Sequence, residues 1–126
     1  MSTLSQAEGN DIFSTAIAVA PVTDWRFYDT IYTERFMQTP QLNPEGYNAG
    51  SPLVKAGQIN GNYLLIHGTG DDNVHFQNSI EMINALVAAD VQFDSFIYPN
   101  RNHGIYGGNT RKHLYKMMTD YILENL

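Results

Sequence analysis

Two strand-like runs in this sequence each end in a turn that carries an ionisable side chain. The first, Tyr63 to His67, leads through Gly-Thr-Gly to Asp71, and the second, Gln92 to Tyr98, leads through Pro-Asn-Arg-Asn to His103. Continuous apolarity, as in the first run, is typical of a strand covered on both faces in a parallel sheet. Active sites in open sheets of this kind lie beyond the carboxyl ends of the strands. We therefore expect Asp71 and His103 to lie together at one edge of a sheet.

A third apolar run, Ala16 to Ala20, comes earlier in the chain and is ended by Pro21. Segments with helical spacing separate the runs, and this alternation predicts an α/β domain with parallel strands and right-handed crossovers. With only three strands, the run over 16–20 is expected to have an unpaired edge. The predicted elements are a helix end over 1–8 stopped by Gly9-Asn10, strands over 16–20, 63–67 and 92–98, a partly helical segment over 24–37, a loop over 39–61 with a short helix near Ser51-Pro52, and helices over 75–89 and 112–126.

The last two predicted helices each have an apolar stripe at a period of 3.6 residues. The stripe of the first comprises Phe76, Ile80, Ile83, Leu86 and Val87, and that of the second comprises Leu114, Met117, Met118, Tyr121 and Ile122. Aspartate and asparagine are good helix N-caps, so Asp72 and Asn73 are expected to cap the helix that begins near His75.

The composition excludes several classes of function. The 126 residues suit one domain, and a net charge of −6 argues against binding to nucleic acid or to anionic membrane surfaces. There is no cysteine, which excludes disulfides, thiolate catalysis and thiolate metal sites. No apolar run is long enough to span a bilayer, and no signal segment is visible at the start of the sequence.

An imidazole held by a carboxylate is the usual general base of a nucleophilic hydrolase. His103 and Asp71 follow the chain order of the last two members of an α/β-hydrolase triad, whereas the Gly-x-Ser-x-Gly turn of the nucleophile is absent from the sequence. Asp72 is an alternative partner for His103, and spacing alone does not decide between the two carboxylates. A loop histidine and a turn-forming aspartate without catalytic function are the simpler interpretation of either motif alone.

Two other groups of residues leave alternatives open. Asp71, Asp72 and His75 have side chains suited to a metal site, although capping of the following helix by Asp72 and Asn73 is the stronger interpretation. The sequence indicates no function for His67 or His113. Trp25, Tyr28 and Tyr32, with Phe27 and Phe36 nearby, form an aromatic cluster that either packs in the core or lines an apolar pocket.

Three segments resemble the C-terminal part of the catalytic domain in the prolyl oligopeptidase family of serine peptidases. They run from Ala18 to Phe36 (AVAPVTDWRFYDTIYTERF), from Leu65 to Gln77 (LIHGTGDDNVHFQ) and over His103-Gly-Ile. The resemblance extends over residues 1–126 and implies the last three parallel strands of an α/β-hydrolase domain, with flanking helices, that normally accompanies a β-propeller. It implies a serine-type peptidase that releases N-terminal dipeptides ending in proline or alanine.

The resemblance also implies roles for individual residues. Asp71 corresponds to the triad acid, in preference to Asp72, and His103 to the base. Trp25, Tyr28, Tyr32, Val22 and Val74 would line the pocket for the penultimate proline, and Asn73 would hydrogen-bond a substrate carbonyl. No cofactor or metal is implied, and the parent protein would be periplasmic, secreted or membrane-anchored.

In the family, the nucleophile elbow and the propeller precede the segment that this chain resembles. We therefore expect the 126 residues to be a truncated domain, a fragment that is inactive by itself. The uncovered strand over Ala16–Ala20 is expected to favour a homo-oligomer. The alternative is a non-catalytic binding or assembly module that retains the fold.

Overall fold

A computed structural model describes residues 1–126, and its centre is a parallel sheet of three strands in the order β1-β2-β3. The strands are β1 (Thr15–Val19), β2 (Asn62–Gly68) and β3 (Asp94–Tyr98). Ala16 pairs with Tyr63, and Ile66 pairs with Phe96. The predicted α/β architecture, its parallel strands and the central position of the second run are therefore confirmed.

The helices cover both faces of the sheet. They are α1 (Ser2–Glu8), α2 (Thr30–Met37), α3 (Pro44–Ala49), α4 (Gln77–Ala88) and α5 (Thr110–Asn125), with short 3₁₀ helices over Trp25–Phe27 and Leu53–Gln58. None is long and apolar enough to cross a membrane.

Alternate residues of β2 supply the two halves of the core. Tyr63 and Leu65 lie in the cluster that includes Met82 and Leu86 of α4. Leu64 and Ile66 face the other way and lie in a second cluster with Leu114 of α5. Burial on both faces is the reason that this strand is almost continuously apolar.

Three local expectations were wrong. The helix α3 was not predicted; it begins after Asn43, whose side chain accepts a hydrogen bond from the Gly46 N–H, and it buries Tyr47. Ser51 does not cap a helix, because its hydroxyl donates to Asp24 Oδ2 at 2.8 Å. Asp72 and Asn73 do not cap α4, whose N-cap is Phe76 with no side-chain hydrogen bond.

The apolar stripe predicted for α4 is also wrong in part. The side chains buried on this helix are Asn78, Ser79, Met82 and Leu86, whereas Ile80 is 41% exposed and Val87 65% exposed. The first turn of α4 lies near the carboxyl edge of the sheet, where polar partners are available. There Asn78 Oδ1 accepts a hydrogen bond from the Thr23 N–H at 3.0 Å.

Candidate active site

The turns that follow β2 and β3 are joined directly by hydrogen bonds. The Thr69 N–H donates to the carbonyl oxygen of Tyr98 at 3.0 Å, and the Gly70 N–H donates to that of Arg101 at 3.0 Å. The approach is so close that a Cβ atom on Gly68 would lie 2.2 Å from the Arg101 carbonyl oxygen. Glycine at position 68 is therefore required for the two turns to meet.

The second turn is also held in place by Ile105, whose side chain packs in the core. This residue has a φ of +42°, which is rare and strained for a β-branched side chain. Its side chain is 1% exposed and packs in the cluster beneath α5. Burial of Ile105 thus compensates for the strain and fixes the backbone two residues after His103.

These turns bring Asp71 and His103 into contact. His103 Nδ1 donates to Asp71 Oδ2 at 2.9 Å, while the side chain of Asp71 is fully buried and that of His103 is 44% exposed. A carboxylate only accepts hydrogen bonds, so Nδ1 carries the proton. His103 Nε2 has no hydrogen-bond partner within the chain, and in the neutral ring it presents a lone pair toward the exposed side.

The other carboxylate oxygen of Asp71 is bound by the backbone. Asp71 Oδ1 accepts hydrogen bonds from the N–H groups of Asn73 at 3.0 Å and Val74 at 2.9 Å. Burial raises the pKa of Asp71, but the hydrogen bonds from His103 and from these N–H groups outweigh it and hold the pKa below its ordinary value. Asp71 is therefore ionised at neutral pH, whereas Asp72 is exposed and makes no side-chain hydrogen bond to His103.

His67, to which the sequence assigned no function, also contacts Asp71. Its Nε2 lies 3.1 Å from Asp71 Oδ2 and 2.8 Å from the carbonyl oxygen of Val74, and its Nδ1 lies 2.6 Å from Ser79 Oγ. The side chain is completely buried at the end of β2. One feature of the sequence could have indicated this contact. His67 is a polar residue at the end of a buried strand, on the same face as Tyr63 and Leu65 and four residues before Asp71.

The metal interpretation has no structural support. The chain contains no group of three or more His, Cys, Asp or Glu side chains arranged to hold a metal ion. Both oxygens of Asp71 are already occupied by N–H donors.

The aromatic cluster combines edge-to-face and stacked ring contacts and is linked to the Asp71 turn. Ring centroids lie 5.9 Å apart for Trp25 and Tyr28 and 5.5 Å apart for Tyr28 and Tyr32. The Tyr28 hydroxyl donates to Asn73 Oδ1 at 2.7 Å. The cluster is therefore not simply core, because Tyr32 remains 51% exposed.

The residues predicted to line one pocket are spread over neighbouring cavities. Tyr28 and Asn73 line a cavity of about 640 Å³ together with Phe27, Asp29, Asp72 and His75. Trp25 and Val22 line another of about 320 Å³, beside α1 and the end of β1. Trp25 and Tyr32 line a third of about 240 Å³.

Val74 is 5% exposed and lies beneath the turn. The structure therefore brings Tyr28 and Asn73 together at the Asp71 turn. The rings of Trp25 and Tyr32 contact the ring of Tyr28, whereas Val22 is linked to the site only through the cavity that it shares with Trp25.

Comparison with known proteins identifies the family. A sequence profile of the prolyl oligopeptidase family matches residues 1–126. The chain belongs to this family. The probable dipeptidyl-aminopeptidase B of Neurospora crassa is 46% identical over 125 residues, which are 98% of this chain and 13% of that protein. Prolyl endopeptidase FAP of Mus musculus is 46% identical over 125 residues, which are 97% of this chain and 16% of that protein.

A solved structure shows the same fold. The crystal structure of dipeptidyl peptidase 4 from Porphyromonas gingivalis superposes with a TM-score of 0.96 at 52% identity, covering 98% of this chain and 18% of that one. The family resemblance and the fold class predicted from the sequence are confirmed. This prolyl oligopeptidase family chain spans less than one fifth of the length of these relatives.

Proposed function

We propose that this chain forms part of the catalytic domain of a serine dipeptidyl peptidase, to which it supplies the acid Asp71 and the base His103. The observation that carries the proposal is the 2.9 Å hydrogen bond from His103 Nδ1 to the buried Asp71 Oδ2. Membership in the prolyl oligopeptidase family supports it. The nucleophile is a serine outside these 126 residues, since the sequence contains no Gly-x-Ser-x-Gly.

The proposed chemistry is acyl transfer. His103 Nε2 removes the proton of the serine hydroxyl as its oxygen attacks the substrate carbonyl, and the same nitrogen then protonates the leaving amine. Asp71 remains ionised, keeps the proton of the neutral ring on Nδ1 and stabilises the imidazolium that forms. Water then takes the place of the amine: His103 removes its proton as it attacks the ester carbonyl, returns the proton to the serine oxygen and so releases the dipeptide.

We further propose that the substrate presents proline or alanine as its second residue. Trp25, Tyr28, Tyr32, Val22 and Val74 would surround that side chain with apolar surface. Asn73 would donate to a substrate carbonyl, because the Tyr28 hydroxyl occupies Oδ1 and leaves the amide N–H₂ group without a partner in the chain. An aromatic pocket with one oriented donor suits a small ring that has no N–H of its own.

Release of p-nitroaniline from Gly-Pro-p-nitroanilide tests the proposal. The 126-residue chain alone should release none, whereas a longer product of the same gene that includes the nucleophile should be active. In that longer protein, His103→Ala should lower kcat/KM by at least about 1,000-fold, because triad members act as a unit. His113→Ala is the matched control, since this helix histidine hydrogen-bonds only Tyr98.

If the 126-residue chain alone hydrolyses the anilide and loses this activity in His103→Ala, the proposal that the nucleophile lies outside these residues is disproved. An active longer protein that tolerates His103→Ala would disprove the assigned base. If neither protein hydrolyses the anilide, the Asp71–His103 pair has no role in dipeptidyl peptidase catalysis, and a binding module becomes the better interpretation.

A further inference from the structure

His67 is a buried ionisable group that the chemistry above does not use. It is 0% exposed, and all its polar neighbours belong to the loop and helix that surround Asp71. An apolar residue would fill the same space, since the ring also packs against Phe76 at a centroid distance of 5.5 Å. The polar contacts therefore need a separate explanation.

The direction of each hydrogen bond of His67 follows from the chemistry of its partners. Asp71 Oδ2 and the Val74 carbonyl only accept, so His67 Nε2 carries a proton that the two share. Burial lowers the pKa of His67 in spite of the opposing effects of the Val74 carbonyl and Asp71, and the ring is neutral. A neutral ring with its proton on Nε2 accepts from the Ser79 hydroxyl at Nδ1.

This arrangement places two imidazole N–H groups on one carboxylate oxygen. His103 Nδ1 and His67 Nε2 lie 2.9 Å and 3.1 Å from Asp71 Oδ2, on opposite sides of the boundary between exposed turn and buried core. The contact to His103 is at an exposed side chain that has to move protons, whereas the contact to His67 lies wholly within the fold. The inner imidazole is thus suited to hold the oxygen in place while the outer one reacts.

We propose that His67 is a positioning residue, which fixes Asp71 Oδ2 toward His103 through its Nε2–H and is itself fixed by the Ser79 hydroxyl. The inference rests on the proposed peptidase function and adds a residue to it. Loss of the inner donor would let the carboxylate turn away from His103, and displacements of about 1 Å at a catalytic group cost on the order of 100-fold in rate.

Two amide substitutions separate positioning from packing. His67→Gln places its amide nitrogen close to the position of Nε2 and keeps a donor for Asp71. His67→Asn is shorter, so its amide reaches Ser79 but not Asp71. In the active longer protein, we expect kcat on Gly-Pro-p-nitroanilide to fall by about 100-fold in His67→Asn and by less than about tenfold in His67→Gln, with KM little changed in both.

Tyr63→Phe is the matched control for a lost buried hydrogen bond. Tyr63 lies on the same strand and face as His67, and its hydroxyl bonds Thr3 Oγ1 at 3.0 Å, away from the Asp71 turn. It should lower the melting temperature and leave kcat unchanged. Positioning is disproved if kcat falls equally in His67→Asn and His67→Gln, or if His67→Asn lowers the melting temperature and leaves kcat unchanged, as the control does.

A readout without turnover distinguishes failure of this inference from failure of the proposed function. The chain contains only 4 histidines, so ¹⁵N-histidine labelling gives resolvable ring signals. We expect His67 to be neutral with its proton on Nε2 at neutral pH; a charged ring, or a proton on Nδ1, would overturn the hydrogen-bond chain. A wild-type protein that lacks activity but shows this tautomer would refute the peptidase role and, with it, the catalytic purpose of His67.

Discussion

At the scale of single residues, the hydrogen bonds of the site converge on Asp71. Its two oxygens accept from the backbone of Asn73 and Val74 and from the rings of His67 and His103. A buried carboxylate is costly unless it is satisfied in this way. The sequence placed Asp71 and His103 on neighbouring turns, but it could not show that a second histidine shares the carboxylate.

Asp71→Asn should make the stability of the chain less dependent on pH. A carboxylate whose folded-state pKa lies below its ordinary value of 3.8 stabilises the fold above that value. This stabilisation is lost as the pH falls through the folded-state pKa. The urea midpoints of the two proteins should therefore differ most at neutral pH and converge as the pH falls below 3.8.

Asp72→Asn is the control for that experiment, because Asp72 is the exposed neighbour of Asp71. Its midpoints should follow those of the unsubstituted chain at every pH. A difference between Asp71→Asn and the original chain that does not change with pH would show that the carboxylate charge contributes nothing to stability.

Gly68→Ala should separate the two turns of the site. The added Cβ would lie 2.2 Å from the Arg101 carbonyl oxygen, so the backbone has to shift, at a cost of about 1–3 kcal/mol. Gly57→Ala is the control, because its Cβ would make an ordinary contact of 3.5 Å with Ala89. Equal unfolding free energies for the two variants in urea would contradict the close approach.

At the scale of elements, the sequence predicted best those segments whose pattern has one cause. The strand β2 is apolar because both its faces are buried. The strands that pair with it were predicted from the alternation of apolar runs with segments of helical spacing. The helix α3 was missed because it is short and contains Gly46 and Asn48, which are poor helix formers. It is stabilised by the Asn43 cap, by Pro44 at its first position and by the burial of Tyr47. In α4, the buried face was misjudged because Asn78 and Ser79 are buried as hydrogen-bond partners of Thr23 and His67.

Leu86→Ala and Val87→Ala test the observed face of α4. Leu86 is 0% exposed, and its truncation should lower the free energy of unfolding by about 2–5 kcal/mol. Val87 is 65% exposed, and its truncation should change that free energy by less than about 0.5 kcal/mol. Denaturation in urea measures both. Comparable losses of unfolding free energy in the two variants would contradict the observed face and support the stripe predicted from the sequence, in which both residues face the core.

At the scale of the whole molecule, both outer strands of the sheet, β1 and β3, have an unpaired edge. The strand β1 pairs with β2 alone, and Val19 near its end is 39% exposed. Exposed edges promote pairing with another chain. The expectation of a homo-oligomer through residues 16–20 therefore remains a prediction for the 126-residue chain.

Val19→Lys should shift the 126-residue chain toward the monomer in sedimentation velocity, since a charge on an edge strand opposes pairing. Val54→Lys is the control, because Val54 is 64% exposed and lies outside β1. A chain that sediments as a monomer before either substitution would disprove association through this edge.

The direct bonding of the two turns makes the Asp71–His103 distance a measure of strand register. Gly68 is paired with Tyr98, and both turns begin at this pair. A slip of two residues between β2 and β3, which keeps every side chain on its own face of the sheet, would move one turn by about 6.6 Å along the other. Such a slip would break the 2.9 Å hydrogen bond, although the core could remain buried. Misaligned molecules would therefore be compact and helical yet lack the pair, so the Asp71–His103 hydrogen bond reports correct folding of the sheet more stringently than secondary-structure content does.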